Sequence, residues 1–96
     1  MVKLVLGKDQ KLLVDSFYKA RTKKDLALFV QDLLTDEEIL DFAQRVKIAN
    51  YILADKTYEE IEKLMPVSSS TISKIGQVIK FGKGGFKLLK TSKKSK

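Results

Sequence analysis

The sequence predicts an all-α domain, and three observations predict it. Apolar residues recur at three- and four-residue spacings in segment after segment. Threonines and serines stand just ahead of those segments, where helix caps belong. Breakers are rare, with one proline and five glycines in 96 residues. A chain of that length makes one domain. The expected layout is an N-terminal extension over 1–8, a single helical domain over 9–90, and a disordered basic tail over 91–96. No internal repeat is visible.

Taken in order, the first helix spans Asp9 to about Arg21, with Leu13, Phe17 and Ala20 forming one apolar stripe. Thr22 opens T-K-K-D, a capping box with Asp25 reaching back, and Leu26, Phe29, Val30 and Leu33 make the next stripe. Thr35 opens T-D-E-E, the strongest helix start in the chain. Its hydroxyl can accept from an early amide, Glu38 can return the bond, and Asp36 and Glu37 complement the positive helix end. That helix is the longest, running to about Ala54. Ile39, Phe42, Val46, Ala49 and Leu53 form one face and Ile48, Tyr51 and Ile52 a second, so it is expected to be buried on two sides, either centrally or against a partner.

Asp55-Lys56 is the next turn. Thr57 opens T-Y-E-E, a third capping box with Glu60, and Ile61, Leu64 and Met65 supply the apolar positions of a short helix. Pro66 stops it, because the residue before proline is pushed out of the helical region. Ser68 or Ser69 then caps a last strong helix ending near Phe81-Gly82. It buries Ile72, Ile75 and Ile79 and turns Ser70, Thr71, Ser73, Lys74 and Gln77 the other way. Lys83-Gly84-Gly85 reads as a flexible link and Phe86, Leu88 and Leu89 as an apolar remnant.

Composition excludes much. The chain has no cysteine and no histidine, which removes disulfides, thiolate and imidazole chemistry and the common zinc sets. No cofactor loop or paired-carboxylate pattern replaces them, so no catalytic residue, metal or cofactor is expected. Asp36, Glu37, Glu38 and Asp41 lack a glycine-bearing ligand loop and read as a solvated helix start. Lys83-Gly84-Gly85 has neither the spacing nor the preceding strand of a phosphate loop. Charges interrupt every apolar run and the first residues are too poor in apolar side chains for a signal peptide, so a cytoplasmic protein with no membrane partner is expected.

Charge carries the most information. Residues 1–33 hold seven basic and four acidic side chains, and residues 34–65 hold four and eight. Residues 66–96 hold eight lysines and no acid, in a chain of net charge +7. A uniformly basic last third implies a polyanionic partner. A lysine-rich tail explains Lys93, Lys94 and Lys96, but Lys74 and Lys80 lie inside a patterned helix. Two short helices joined by a tight turn, the second polar and basic outward, describe a helix-turn-helix. Its second helix must fit a groove about 12 Å wide, which small residues at the start allow. Ser68, Ser69, Ser70, Thr71 and Ser73 meet that need, and Lys74, Gln77 and Lys80 continue the surface. Serine clusters also mark plain loops, so the pattern alone leaves both readings open. Glu59, Glu60 and Glu62 on the first helix would repel phosphates and must face away from DNA.

From Leu34 to Lys80 the chain resembles the tryptophan repressor family, and within it the small repressor-like proteins of the YerC/YecD type. The residues that carry the resemblance are LTDEE (34–38), QRVKIANYIL (44–53), TYEEIEKLM (57–65) and SSSTISKIGQVIK (68–80). The resemblance implies an intertwined all-α homodimer whose two reading helices enter successive major grooves about 34 Å apart. It implies Ser69, Ser70, Thr71 and Ser73 as base-facing residues. It also implies an effector pocket, which in the family is made by a threonine, two arginines and a glycine around a bound amino acid. Thr35 and Arg45 match here, Lys74 replaces the second arginine, and Ile75 stands in place of the glycine. Lysine has no planar fork to grip a carboxylate, and isoleucine fills space the ligand needs, so tryptophan is not the expected co-repressor.

The expected function is therefore that of a sequence-specific DNA-binding regulator, a repressor acting as a homodimer on double-stranded DNA. The alternatives are a protein-interaction module on the same fold, which the glutamates of the first helix favour, and nonspecific nucleic-acid binding through the basic tail.

Overall fold

The computed structural model describes residues 5–95, with side chains for residues 5–90. Residues 1–4 of the expected extension, and the side chains of the expected tail, lie outside the described residues. The regular structure is helical throughout: α1 (Lys8–Tyr18), α2 (Lys23–Leu33), α3 (Asp36–Leu53), α4 (Tyr58–Leu64), α5 (Ser69–Phe81) and a 3-10 segment, Phe86–Ser95. The chain divides into two compact units between Asp41 and Phe42, so that α3 contributes its first turns to one and the rest to the other.

In the first unit, α1 starts at Lys8 and the Gln10 side chain accepts from the Gly7 N–H at 2.9 Å. It stops at Tyr18, short of the expected Arg21, because the Lys19 and Ala20 amides turn back to the Ser16 and Phe17 carbonyls at 3.2 Å each. Thr22 caps α2 by accepting from the Asp25 N–H at 3.0 Å. The expected return bond from Asp25 is not among the hydrogen bonds of this cap; an aspartate is one methylene shorter than the glutamate that makes it elsewhere. Phe17 and Phe29 meet edge to face, with ring centroids 5.3 Å apart. Yet neither α1 nor α2 buries a single residue.

The second unit has a core. Ile48 and Ala49 of α3, Ile61 of α4, Met65, and Ile72, Ile75 and Ile79 of α5 are buried together. Tyr51, Ile52, Leu53, Val67, Phe86 and Leu89 pack around them half-buried. The isoleucine stripe of α5 is core, as its spacing predicts, and each such side chain contributes about 1.5–3 kcal/mol by leaving water. Two expectations are corrected. Leu64 points outward, 51% exposed, because the turn to Pro66 already places Met65 inward. And of the two alternatives for α3, the central one is not met: Phe42 and Val46 remain 42% and 40% exposed, beside a buried Ile48 and Ala49.

The joints follow from local chemistry. At the end of α3, Asp55 takes the left-handed conformation (φ 66°), which aspartate tolerates better than most side chains. The Lys56 N–H reaches the Tyr51 carbonyl at 3.0 Å and the Asp55 N–H reaches that of Ile52, closing the helix with a Schellman pair. Thr57 restarts the chain at once: its Oγ1 accepts from the Glu60 N–H at 3.1 Å and Glu60 accepts from the Thr57 N–H at 2.7 Å. The same box forms at Thr35 and Glu38, at 3.1 and 2.9 Å. Between α4 and α5 the chain turns over Met65, Pro66, Val67 and Ser68, with the Val67 N–H donating to the Met65 carbonyl across the proline.

Candidate nucleic-acid interface

A helix that buries Ile72, Ile75, Gly76 and Ile79 must turn its remaining positions outward. Val78 and Phe81 stand outward as apolar residues, 47% and 78% exposed, beside the polar ones: Ser69, Ser70, Lys74, Gln77 and Lys80, all exposed, and Ser73, half-exposed. The polar residues form one basic face along the helix, without an acidic side chain. Ser68 lies at the helix start and its side chain is engaged locally. Its Oγ accepts from the Thr71 N–H at 3.3 Å and lies 3.0 Å from the Ser70 hydroxyl and 3.1 Å from that of Thr71. Ser68 is thus the cap, and Thr71, half-buried, leans toward a cleft beside the helix rather than along the outward face.

That cleft, of about 490 Å³, is lined by Arg45, Thr71, Lys74, Ile75, Val78 and Phe86. Three of the four residues suggested for an effector pocket, Arg45, Lys74 and Ile75, therefore come together. Thr35 is not among the lining residues; it caps α3 in the first unit. The Arg45 guanidinium sits over the Phe42 ring, 5.2 Å from its centroid, an exposed cation–π contact worth about 0.5–1 kcal/mol. Ile75, 7% exposed, belongs to the core and shows the cleft only its edge.

Other residues at this face carry no flag in a stripe-and-cap reading of the sequence. Gly76 is buried where α5 meets α4, and a methyl group there would run into the Tyr58 hydroxyl and lie 3.1 Å from Cζ of its ring. The signal was available, since an interior helical glycine costs about 1 kcal/mol against alanine and asks for a packing reason. Phe86 and Val78 walling the cleft had no such signal, because they follow from how the 3-10 segment lies on α5.

Among the described residues, no group of histidine, cysteine or carboxylate side chains could hold a metal ion, and no helix is long and apolar enough to cross a membrane. Among the described residues, Glu60 has a clear shift of acidity. The Thr57 N–H bonded to its carboxylate, with the Thr57 hydroxyl next, lowers its pKa from the ordinary 4.5. That is a capping effect, and it offers no acid or base for catalysis.

A capped, basic, small-residue helix set outward on an isoleucine core is the layout of a helical nucleic-acid-binding domain. The comparison with known families gives the particular one: residues 8–92 match the model of the Trp repressor protein family, and the chain belongs to that family. It is a family of DNA-binding regulators, not of enzymes. A similar curated protein is the "Uncharacterized protein YerC" of Bacillus subtilis (strain 168), 28% identical over 82 residues, which cover 85% of this chain and 79% of that one. No solved structure matches the chain.

Proposed function

We propose that this protein is a sequence-specific transcriptional regulator, a repressor, that binds double-stranded DNA as a homodimer. In this reading α4 and α5 are a helix-turn-helix and α5 lies in the major groove. The observation that carries it is the outward face of α5. Ser69, Ser70 and Ser73 are small enough for the backbone to approach the base edges. Gln77 can bond a base edge with both its donor and its acceptor, while Lys74 and Lys80 answer phosphates. Ser68 and Thr71 hold the start of the helix in register and leave its free amides toward the backbone.

The homodimer is supported by the first unit. Leu12, Leu13, Val14, Leu28 and Leu33 stand 43% to 65% exposed, and α1 and α2 bury nothing of their own. Exposed apolar surface on that scale marks an association face, and a second copy supplies the matching one. A two-fold dimer presents two α5 helices and reads two half-sites about one helical turn apart.

A second reading concerns regulation, and the cleft between α3 and α5 favours it. Arg45 and Lys74 offer two cations beside an apolar wall of Val78 and Phe86, which suits a small anion with an apolar end. Lys74 cannot grip a carboxylate in a two-pronged way, and Ile75 takes space an indole would need. Tryptophan is therefore not the expected effector, and millimolar tryptophan is expected to leave the melting temperature and the DNA affinity unchanged.

The test of the main reading is selection of bound sequences from a random duplex pool, with gel shifts on the winners. The expected result is a motif with dyad symmetry whose preference weakens with Gln77→Ala and Ser70→Ala. A pool that stays random after repeated rounds would overturn base reading by α5.

A further inference from the structure

The α5 reading leaves a second basic cluster unused, at the turn between α1 and α2. Lys19, Arg21, Lys23 and Lys24 fall within six consecutive residues with no acid among them, and all four are exposed. Among the described residues the one ion pair joins Lys11 to Asp15 at 3.6 Å, so it takes up the nearest acid on the N-terminal side and none of the four cations. Helix stability does not account for the cluster. Lys19 follows the last turn of α1, where a cation is welcome, but Lys23 and Lys24 open α2, where the helix field is already positive. By contrast Asp36, Glu37 and Glu38 open α3 and Glu59 and Glu60 open α4; α1 opens on the single pair Lys8-Asp9, and in α2 Asp25 follows the two lysines.

The turn is also held firmly. Thr22 caps α2, the Lys19 and Ala20 amides are bonded back into α1, and the Phe17–Phe29 contact ties the two helices together just behind the cations. Four positive charges are thus gathered on a fixed backbone, which lowers the cost of pairing them with a fixed row of anions. Their side chains are long and flexible, and the one small polar residue among them, Thr22, is engaged as the cap of α2. The chemistry that fits is a run of backbone phosphates, recognised by charge and not by sequence.

We propose that the α1–α2 turn is a second DNA-contacting surface, in which Lys19, Arg21, Lys23 and Lys24 hold phosphates of duplex DNA without regard to sequence. It goes beyond the role given to α5, since base selection and phosphate holding by separate surfaces fail separately.

The experiment measures affinity of the full chain for a duplex of random sequence across a salt series, by fluorescence anisotropy. Each phosphate that is no longer neutralised flattens the plot of log affinity against log salt by about 0.9. The variant K19Q/R21Q/K23Q/K24Q is expected to flatten it by about 2 or more per chain and to weaken binding at low salt at least about tenfold. The variant K8Q/K47Q/K56Q/K63Q removes the same charge elsewhere and is expected to change the slope by less than about 1. Circular dichroism, unchanged in both, confirms that the helices persist. Equal effects of the two variants would reduce the cluster to bulk charge and overturn the proposal, as would an unchanged slope or no binding to the random duplex. A wild-type slope that the turn variant flattens, in a protein that selects no motif, would uphold the turn while refuting base reading by α5.

Discussion

The two units of this chain solve the problem of apolar burial in opposite ways. From Phe42 onward, isoleucines from α3, α4 and α5 meet in one core and three of them are fully buried. Up to Asp41, the helices carry equally good stripes, yet Leu13, Leu26 and Leu33 stand 45%, 39% and 43% exposed. The periodicity is of the same quality in both. What differs is that the second unit covers its stripes with its own helices, whereas in the proposed dimer a second copy covers those of the first. An amphipathic pattern specifies that a face will be covered, not by which molecule.

The comparison is open to being broken, starting with the largest effect. In the proposed dimer, Leu13→Glu with Leu28→Glu places charges on the association face. Sedimentation is expected to show a monomer, with α1 and α2 helicity lost by circular dichroism. Retention of a full-helical dimer would mean that those side chains are surface after all. Next comes Ile72→Ala in the second unit, which removes a fully buried side chain and is expected to cost about 2–5 kcal/mol in urea unfolding. A loss below about 1 kcal/mol would place the core elsewhere.

How much of this was legible in the sequence depends on range. The reciprocal caps at Thr35 and Thr57, the stop at Pro66 and the buried face of α5 all follow from residues within a turn or two of each other. The chain pairs them as the pattern demands. Asp25 fails to close its box for an equally local reason, the length of its side chain. The misreadings are those of longer range. Leu64 is exposed because the bend at Met65 and Pro66 fixes which apolar neighbour turns inward. The two faces of α3 are read correctly as apolar, but only the stretch from Ile48 to Leu53 packs on the core, while Phe42 and Val46 stay exposed. At the site, the outward face of α5 was legible from its stripe, and Arg45 with Lys74 from the family resemblance. The cleft wall made by Phe86 was not, since nothing local sets where the segment after three glycines comes to rest.

Two smaller predictions sharpen the contrast between long-range and local determinants. Gly76→Ala pushes a methyl group into the tip of the Tyr58 side chain, 37% exposed, so the ring is expected to swing aside and the lost packing, offset by the helix propensity of alanine, to cost about 1 kcal/mol. Pairing it with Tyr58→Ala is expected to recover part of the loss in a double-mutant cycle; strict additivity would refute the contact. The smallest effect is in pH. Glu60 has a folded pKa below its ordinary 4.5, set first by the Thr57 N–H bond and then by the Thr57 hydroxyl. Its contribution is therefore present above 4.5 and is lost as pH falls through the lower folded value. Glu60→Gln is expected to flatten the acid limb of the stability profile slightly, and an identical profile would contradict the shift.

The contrast between the two units comes down to whether a second copy completes the first one, and equilibrium sedimentation of the full chain over a wide concentration range asks that most directly. The account predicts a single species of twice 10.9 kDa whose thermal midpoint rises with concentration. A folded, fully helical species of 10.9 kDa with a concentration-independent midpoint would contradict it.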